Sequence, residues 1–174
     1  MQIVSVINQK GGVGKTTTVI NLAAGLTQLN KKILVIDLDP QGNATTGLGL
    51  SNVDNSSGTI YGVLNGTRDI NEIIKKTRFE NLDIITSNVD LSGLEVETAD
   101  DSNRAFILKT KLSAYLNHSR GLYDYVLIDC PPSLSLLTVM ALVCSNSLLV
   151  PLQTEFFALE GLTQLMKTIE RIKV

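Results

Sequence analysis

The chain has 174 residues with a formal net charge of -2, and its residues are 44% apolar and 18% charged. This length predicts a single domain over residues 1–174, and the composition excludes a disordered or low-complexity protein. The small acidic excess gives no sign of a nucleic-acid partner, and two cysteines are too few for a disulfide framework. Since we find neither a signal peptide nor an apolar run of about 18 residues, we predict a cytoplasmic protein with no membrane contact.

Five short runs rich in Val, Ile and Leu predict strands. They cover residues 3–7, 33–37, 82–86, 125–129 and 147–152. Because these runs lack polar alternation, they are typical of strands buried on both faces of a parallel sheet. Apolar residues at helical spacing predict helices between and after them. These helices cover residues 19–29, 104–116, 134–143 and 160–173.

The alternation of strands and helices predicts an α/β fold, a three-layer sandwich with helices on both faces of a mainly parallel sheet. Residues 42–66 do not follow this alternation, since they are rich in Gly, Asn, Ser and Thr. We predict an irregular segment there, with one turn of helix at Ile60–Leu64. Basic clusters at residues 31–32, 75–78 and 109–111 are interpreted as solvated helix faces.

A glycine-rich loop separates the first predicted strand from the first predicted helix. Its end, Gly14-Lys15-Thr16, matches the pattern G-x-x-x-x-G-K-[ST], but Gln9 stands where that pattern begins with glycine, so the match is a variant. Glycines let such a loop curl with its amides pointing at an anion, beside the positive end of the helix. We therefore expect Lys15 to reach the β- and γ-phosphates of a nucleotide and Thr16 to bind Mg²⁺.

Acidic residues follow two of the predicted strands. Asp37 and Asp39 come at the end of one strand, and Asp129 ends another. Because ligands bind beyond the carboxyl ends of parallel strands, we expect these acids to converge on the edge that carries the glycine-rich loop. Asp129 is expected to join Thr16 in the Mg²⁺ shell. Asp39 is expected to position the attacking water and to contribute to the metal site.

These motifs resemble those of ParA-type partition ATPases. Residues 10–17 are similar to the deviant Walker A motif, in which a lysine precedes the glycine pair. The further similar segments are residues 37–45, 87–95, 123–133 and 150–162. The resemblance extends from residue 2 to the end of the chain and is greatest to the Soj-like branch, which segregates chromosomes and plasmids.

The resemblance implies a P-loop NTPase-like fold with ATP and Mg²⁺ as cofactors. It implies that the loop and its lysine contact the phosphates, through Lys10, Gly11, Gly12, Val13, Gly14, Lys15, Thr16 and Thr17. It implies that Lys10 crosses the interface of an ATP-dependent homodimer to reach the partner's nucleotide. A second lysine before the glycines is costly unless phosphate balances its charge, which agrees with that role. The resemblance also implies slow hydrolysis of ATP, stimulated by a DNA-bound activator of the ParB type.

The family continues past the last predicted helix through further strand–helix units. Those units carry the adenine pocket and most of the basic residues that bind DNA. We therefore expect a C-terminally shortened domain. The nonspecific DNA binding and nucleoid association of the full-length family are not carried over to it. One alternative is a nucleotide-binding or dimerisation module without useful turnover. Another is a membrane-associated ATPase similar to MinD, although the last helix is expected to pack on the sheet.

Overall fold

The computed structural model describes residues 1–50, 58–119, 121–154 and 158–172. Six strands form one sheet in the order β3-β4-β2-β5-β1-β6. They are β1 (Gln2–Val6), β2 (Ile33–Asp37), β3 (Ile74–Lys76), β4 (Leu82–Ile85), β5 (Tyr125–Asp129) and β6 (Ser147–Leu149). Every neighbouring pair is parallel except β3 and β4. The mainly parallel sheet is thus as predicted.

Helices cover both faces of this sheet. They are α1 (Lys15–Gln28), α2 (Asn43–Gly47), α3 (Ile60–Leu64), α4 (Ile70–Ile73), α5 (Leu94–Glu97), α6 (Ile107–His118), α7 (Leu136–Cys144) and α8 (Ala158–Ile172). Alternate residues of β2 point to opposite sides, so Val35 packs with Val19 of α1, whereas Leu34 packs in the cluster that holds Leu112 of α6. The two cores confirm the predicted three-layer arrangement.

The edge strand β3 was missed by the sequence prediction. Its basic residues were interpreted as a helix face, but Lys76 lies on β3 opposite Asp83 and donates to its carboxylate at 2.8 Å. Three residues are too few to show an alternating pattern, and lysine on an edge strand is a common protection against further strand pairing. Lys75 and Lys76 are therefore part of the sheet, whereas Arg78 lies in the loop between β3 and β4.

The segment predicted to be irregular contains more helix than expected. Helix α3 matches the predicted turn at Ile60–Leu64, but α2 occupies Asn43–Gly47 as well. Residues 51–57 of this segment lie outside the described residues. Helix α4 was also missed, although Asp69 and Glu72 form a capping box whose D-x-x-E spacing is readable in the sequence.

The terminal helix α8 packs on the rest of the domain. Leu165 is buried in the core, and Ile169 packs against the same cluster. The apolar stripe of α8 thus packs against the domain, which is the role that the sequence analysis preferred to membrane binding. In the part of the chain that the structure describes, no helix combines the length and the apolar character needed to cross a membrane.

The strand register places the candidate site. Val6 of β1 and Asp37 of β2 both pair with Asp129 of β5, so these three strands end side by side. The loops that follow them leave from one edge of the sheet. The convergence expected from the sequence is therefore confirmed at the level of the backbone.

Candidate nucleotide and magnesium site

The glycine-rich loop forms an open cradle at the start of α1. Gly12 and Gly14 have φ angles of 76° and 88°, a left-handed conformation that glycine adopts without strain. A Cβ built on either residue would meet no atom within 4 Å, so the concave side of the loop is open. This backbone leaves room for an anion against the N-terminus of α1, where the helix dipole favours negative charge.

Lys15 is the buried cation of this cradle. Its side chain lies inside the loop, where Nζ donates to the backbone oxygen of Lys10 at 3.0 Å. Burial lowers the pKa of the Lys15 ammonium, and the nearby carboxylates of Asp129 and Asp39 oppose that shift. The structure thus brings the predicted lysine and two of the three predicted acids into one electrostatic unit.

Asp129 supplies the observation that best tests whether the site fits a metal ion. It is fully buried, and neither carboxylate oxygen has a hydrogen-bond partner among the described residues. Burial raises the pKa of Asp129 to about 7, and the nearby Thr16 hydroxyl counteracts this rise without completing a hydrogen bond of ordinary geometry. A buried unpartnered carboxylate is costly. A hard cation bound between it and the Thr16 hydroxyl would remove that cost, so the oxygen donors fit Mg²⁺.

The region described holds no group of three or more His, Cys, Asp or Glu side chains that could bind a metal ion by itself. This agrees with the way proteins bind Mg²⁺ beside phosphates, through one or two carboxylates, with the remaining positions filled by water and the substrate. A magnesium site of this kind would need no protein donors beyond Thr16, Asp129 and Asp39, with the phosphates completing it.

Asp39 lies across the cavity from the loop. The cavity has a volume of about 410 Å³ and is lined by Gly11, Gly12, Gly14, Lys15, Thr16, Thr17, Asp39, Asn43 and Pro132. The backbone N–H of Gln41 donates to Asp39 Oδ1 at 2.9 Å, which fixes the carboxylate. Asn43 was not predicted as a site residue, although it belongs to the family-like segment 37–45 that the sequence analysis singled out.

Asp37 lies at the same edge of the sheet, as the sequence predicted, but it does not line the cavity. Its Oδ2 accepts from the N–H of Thr45 at 2.8 Å and from the Thr45 hydroxyl at 2.7 Å. The same hydroxyl oxygen accepts from the N–H of Ser87 at 3.1 Å. Burial raises the pKa of Asp37 to about 6, although the bonds from Thr45 oppose that shift. Asp37 thus anchors the loop that carries Asp39.

Replacing Thr45 with Val is expected to lower the free energy of unfolding by about 1–3 kcal/mol, because two bonds to buried groups are lost. The rate of ATP hydrolysis should also fall, since the loop that holds Asp39 loses its anchor. Urea denaturation and a phosphate-release assay measure the two effects. Thr46→Val is the matched control, since Thr46 is exposed on the same helix. Equal effects of the two substitutions would contradict the anchoring role.

Two predicted loop residues do not line the cavity. Val13 is buried and is not among the lining residues. Lys10 is exposed and is not among the residues that line the cavity. At this position the Lys10 side chain can contact a group outside the nucleotide cavity of its own chain.

A larger cavity of about 570 Å³ lies at the opposite edge of the sheet. It is bordered by Lys32, Lys76 and Arg78, and also by Glu80 and Asp83. Asp83 is already paired with Lys76, and the Tyr123 hydroxyl donates to it at 2.7 Å. Because the charges nearly balance and no glycine cradle is present, the smaller cavity is the better nucleotide site.

A first parallel strand that runs through a glycine-rich, lysine-bearing loop into a helix N-terminus defines a P-loop NTPase. The chain belongs to the AAA domain family, whose sequence profile matches residues 1–174. It is 48% identical over 173 residues to the chromosome partitioning protein ParA of Caulobacter vibrioides, which covers 99% of this chain and 64% of that protein. It is 46% identical over 172 residues to the sporulation initiation inhibitor protein Soj of Bacillus subtilis. That match covers 99% of this chain and 66% of the Soj protein.

A solved structure supports the same fold. The cobyrinic acid a,c-diamide synthase of Mycobacterium smegmatis, with a bound ATP analogue and magnesium, matches with a TM-score of 0.89 at 36% identity. The match covers 99% of this chain and 68% of that one. The predicted ParA/Soj-type resemblance and the P-loop fold are thus confirmed. The chain spans about 64% of the length of the ParA protein that it matches.

Proposed function

We propose that the chain binds ATP and Mg²⁺ and hydrolyses ATP slowly, as a nucleotide-switched homodimer in ParA-type partition of a chromosome or plasmid. The observation that carries this proposal is the buried carboxylate of Asp129, which has no hydrogen-bond partner among the described residues and lies near Thr16 of the cavity lining. The names of the ParA and Soj relatives support the partition role. The neighbour with bound ATP analogue and magnesium supports the choice of ligands.

Each site residue has a distinct role in this proposal. The loop amides from Gly11 to Gly14 and the Lys15 ammonium hold the phosphates, and Thr17 adds a further phosphate contact. Thr16 and Asp129 hold Mg²⁺ together with Asp39. When bound, Mg²⁺ neutralises charge on the phosphate oxygens. The Asp39 carboxylate also orients the attacking water, because Gln41 fixes its position at the cavity wall.

Lys10 is proposed to act in the partner's site. Its side chain is exposed and lies outside the lining of its own cavity, so a second copy of the chain could receive it. There it would stabilise charge on the transferred phosphoryl group, as an arginine finger does. A DNA-bound activator of the ParB type would raise the slow basal rate. Nonspecific DNA binding is not proposed for this part of the protein.

The Lys10→Ala variant is expected to remain mainly monomeric with ATP and Mg²⁺ at concentrations at which the wild type dimerises. Its basal hydrolysis should fall because a trans charge on the phosphates is lost. Sedimentation velocity with and without a nonhydrolysable ATP analogue measures the first effect, and phosphate release measures the second. Lys31→Ala is the control, since Lys31 is an exposed lysine at the opposite edge of the sheet. Equal dimerisation of Lys10→Ala and wild type would contradict the trans role.

A second candidate is a nucleotide-binding or dimerisation module without useful turnover. This candidate predicts ATP binding, and association with a longer homologue, without phosphate release. Turnover that a ParB-type activator increases would exclude it. An ATPase assay of the isolated chain, with and without such an activator, therefore separates the two candidates.

A further inference from the structure

Asn8 lies between the end of β1 and the glycine-rich loop, and both the oxygen and the nitrogen of its side-chain amide make hydrogen bonds. It is 8% exposed. Its Oδ1 accepts from the backbone N–H of Lys10 at 3.0 Å. Its Nδ2 donates to the backbone oxygen of Pro151 at 2.8 Å. One buried side chain thus joins the loop to a segment 143 residues away in sequence.

The segment that Asn8 reaches is residues 151–154, which follow β6. The pairing of β1 with β6 reaches Ile7, whose N–H donates to the oxygen of Leu149 at 3.0 Å. Asn8 extends this contact through its side chain, by one residue on the β1 side and by two residues on the β6 side. Farther along the segment, Gln153 Nε2 donates to the oxygen of Gly12 at 3.3 Å. The segment therefore touches the glycine-rich loop at two points.

Both backbone polar groups of Lys10 are hydrogen-bonded to side chains. Its N–H is bound by Asn8, and its oxygen accepts from the Lys15 ammonium at 3.0 Å. A phosphate in the cradle competes for the Lys15 ammonium, since a charged acceptor is stronger than a neutral carbonyl. When that bond is given up, the bond from Asn8 remains to fix the backbone of Lys10.

We propose that Asn8 is a positioning residue that fixes Lys10 and couples nucleotide binding in the loop to residues 151–154. The proposal rests on the proposed nucleotide site but assigns a new role to a residue that does not line the cavity. Because Asn8 acts through Lys10 and through Pro151, it is not a catalytic residue. The segment after β6 becomes a part of the protein that responds to the nucleotide.

Hydrogen–deuterium exchange of the chain, with and without ATP and Mg²⁺, tests this coupling. In the wild type, nucleotide is expected to change amide exchange in a peptide that covers residues 150–154. In Asn8→Ala that change should be lost. The kcat for hydrolysis should fall about tenfold, while the KM for ATP stays within about threefold, because Lys10 is misplaced but the phosphate cradle is intact.

Asn146→Ala is the matched control. The Oδ1 of Asn146 accepts from the N–H of Ile3 at 2.9 Å, so it is another asparagine that ties the β6 side of the sheet to β1, but far from the loop. Because Asn146 is exposed, this variant should lose less stability than Asn8→Ala, and it should keep both the nucleotide-dependent exchange and the kcat. Gln153→Ala provides a second variant that should fold normally, since Gln153 is exposed. It should reduce the exchange response in the same peptide.

Two results would overturn the inference. One is a wild type in which ATP and Mg²⁺ leave the exchange of residues 150–154 unchanged. The other is a response that Asn8→Ala keeps in full. Calorimetric titration of ATP separates these failures from a failure of the proposed function. If ATP binds but the response is absent or unaltered, the nucleotide site stands and the coupling through Asn8 does not.

Discussion

Asp39→Asn is expected to lower the kcat for ATP hydrolysis by about 10²- to 10⁴-fold, the usual effect of a positioned acid or base. The affinity for ATP should change much less. Asparagine keeps an oxygen that can accept from the N–H of Gln41, so the loop geometry is preserved. Only the charge that orients the water, and helps to hold the metal, is removed. Phosphate release and calorimetric titration of ATP measure the two quantities.

Asp101→Asn is the control for this substitution. The Oδ1 of Asp101 accepts from the N–H of Asn103 at 2.7 Å, the same local arrangement as Asp39 with Gln41, at an exposed position away from the cavity. It should hydrolyse ATP at the wild-type rate. Wild-type turnover in Asp39→Asn would remove Asp39 from the role proposed here. A parallel loss of turnover and ATP affinity would restrict Asp39 to the metal site.

Asp129→Asn is expected to have opposite effects on stability and on nucleotide binding. Without nucleotide, the free energy of unfolding should rise by on the order of 1–3 kcal/mol at pH 8, because a buried carboxylate without a partner is replaced by a neutral amide. The Mg²⁺-dependent affinity for ATP should fall about 10- to 100-fold, since the metal shell loses a carboxylate. Urea denaturation and ATP titration with and without Mg²⁺ measure both effects.

Asp83→Asn is the control that tests whether replacing any buried aspartate has the effects expected of Asp129→Asn. Asp83 is also buried, but Tyr123 and Lys76 both donate to its carboxylate. Its replacement should lower the free energy of unfolding and leave ATP affinity unchanged. If Asp129→Asn instead destabilises the nucleotide-free protein as Asp83→Asn does, the proposed metal-binding role of Asp129 is contradicted.

Much of the site could be predicted from the sequence because its parts are local. The glycines, Lys15 and Thr16 are contiguous, and they stand between a strand and a helix that the apolar pattern shows separately. The positions of Asp39 and Asp129 follow from a rule that concerns the whole sheet, since parallel strands end at one edge. Each of these predictions needs only the order of the elements along the chain.

Other features depend on partners that are remote in sequence. Asp37 and Asp39 are two residues apart and follow the same strand, yet one anchors a loop through Thr45 and the other lines the cavity. The short strand β3 pairs only because β4 presents its edge. Periodicity reports which side chains are apolar, but it does not report which polar atom will meet which donor.

The sequence by itself therefore determined the class of the fold, the glycine-rich loop and the edge of the sheet at which we propose that the nucleotide binds. Only the tertiary structure decided which acid lacks a partner and which is already paired. It also revealed that Asn8 joins the loop to Pro151. The physical reason is that hydrogen bonds are short and directional, so a buried polar group acquires its role only when packing brings the distant partner within about 3 Å.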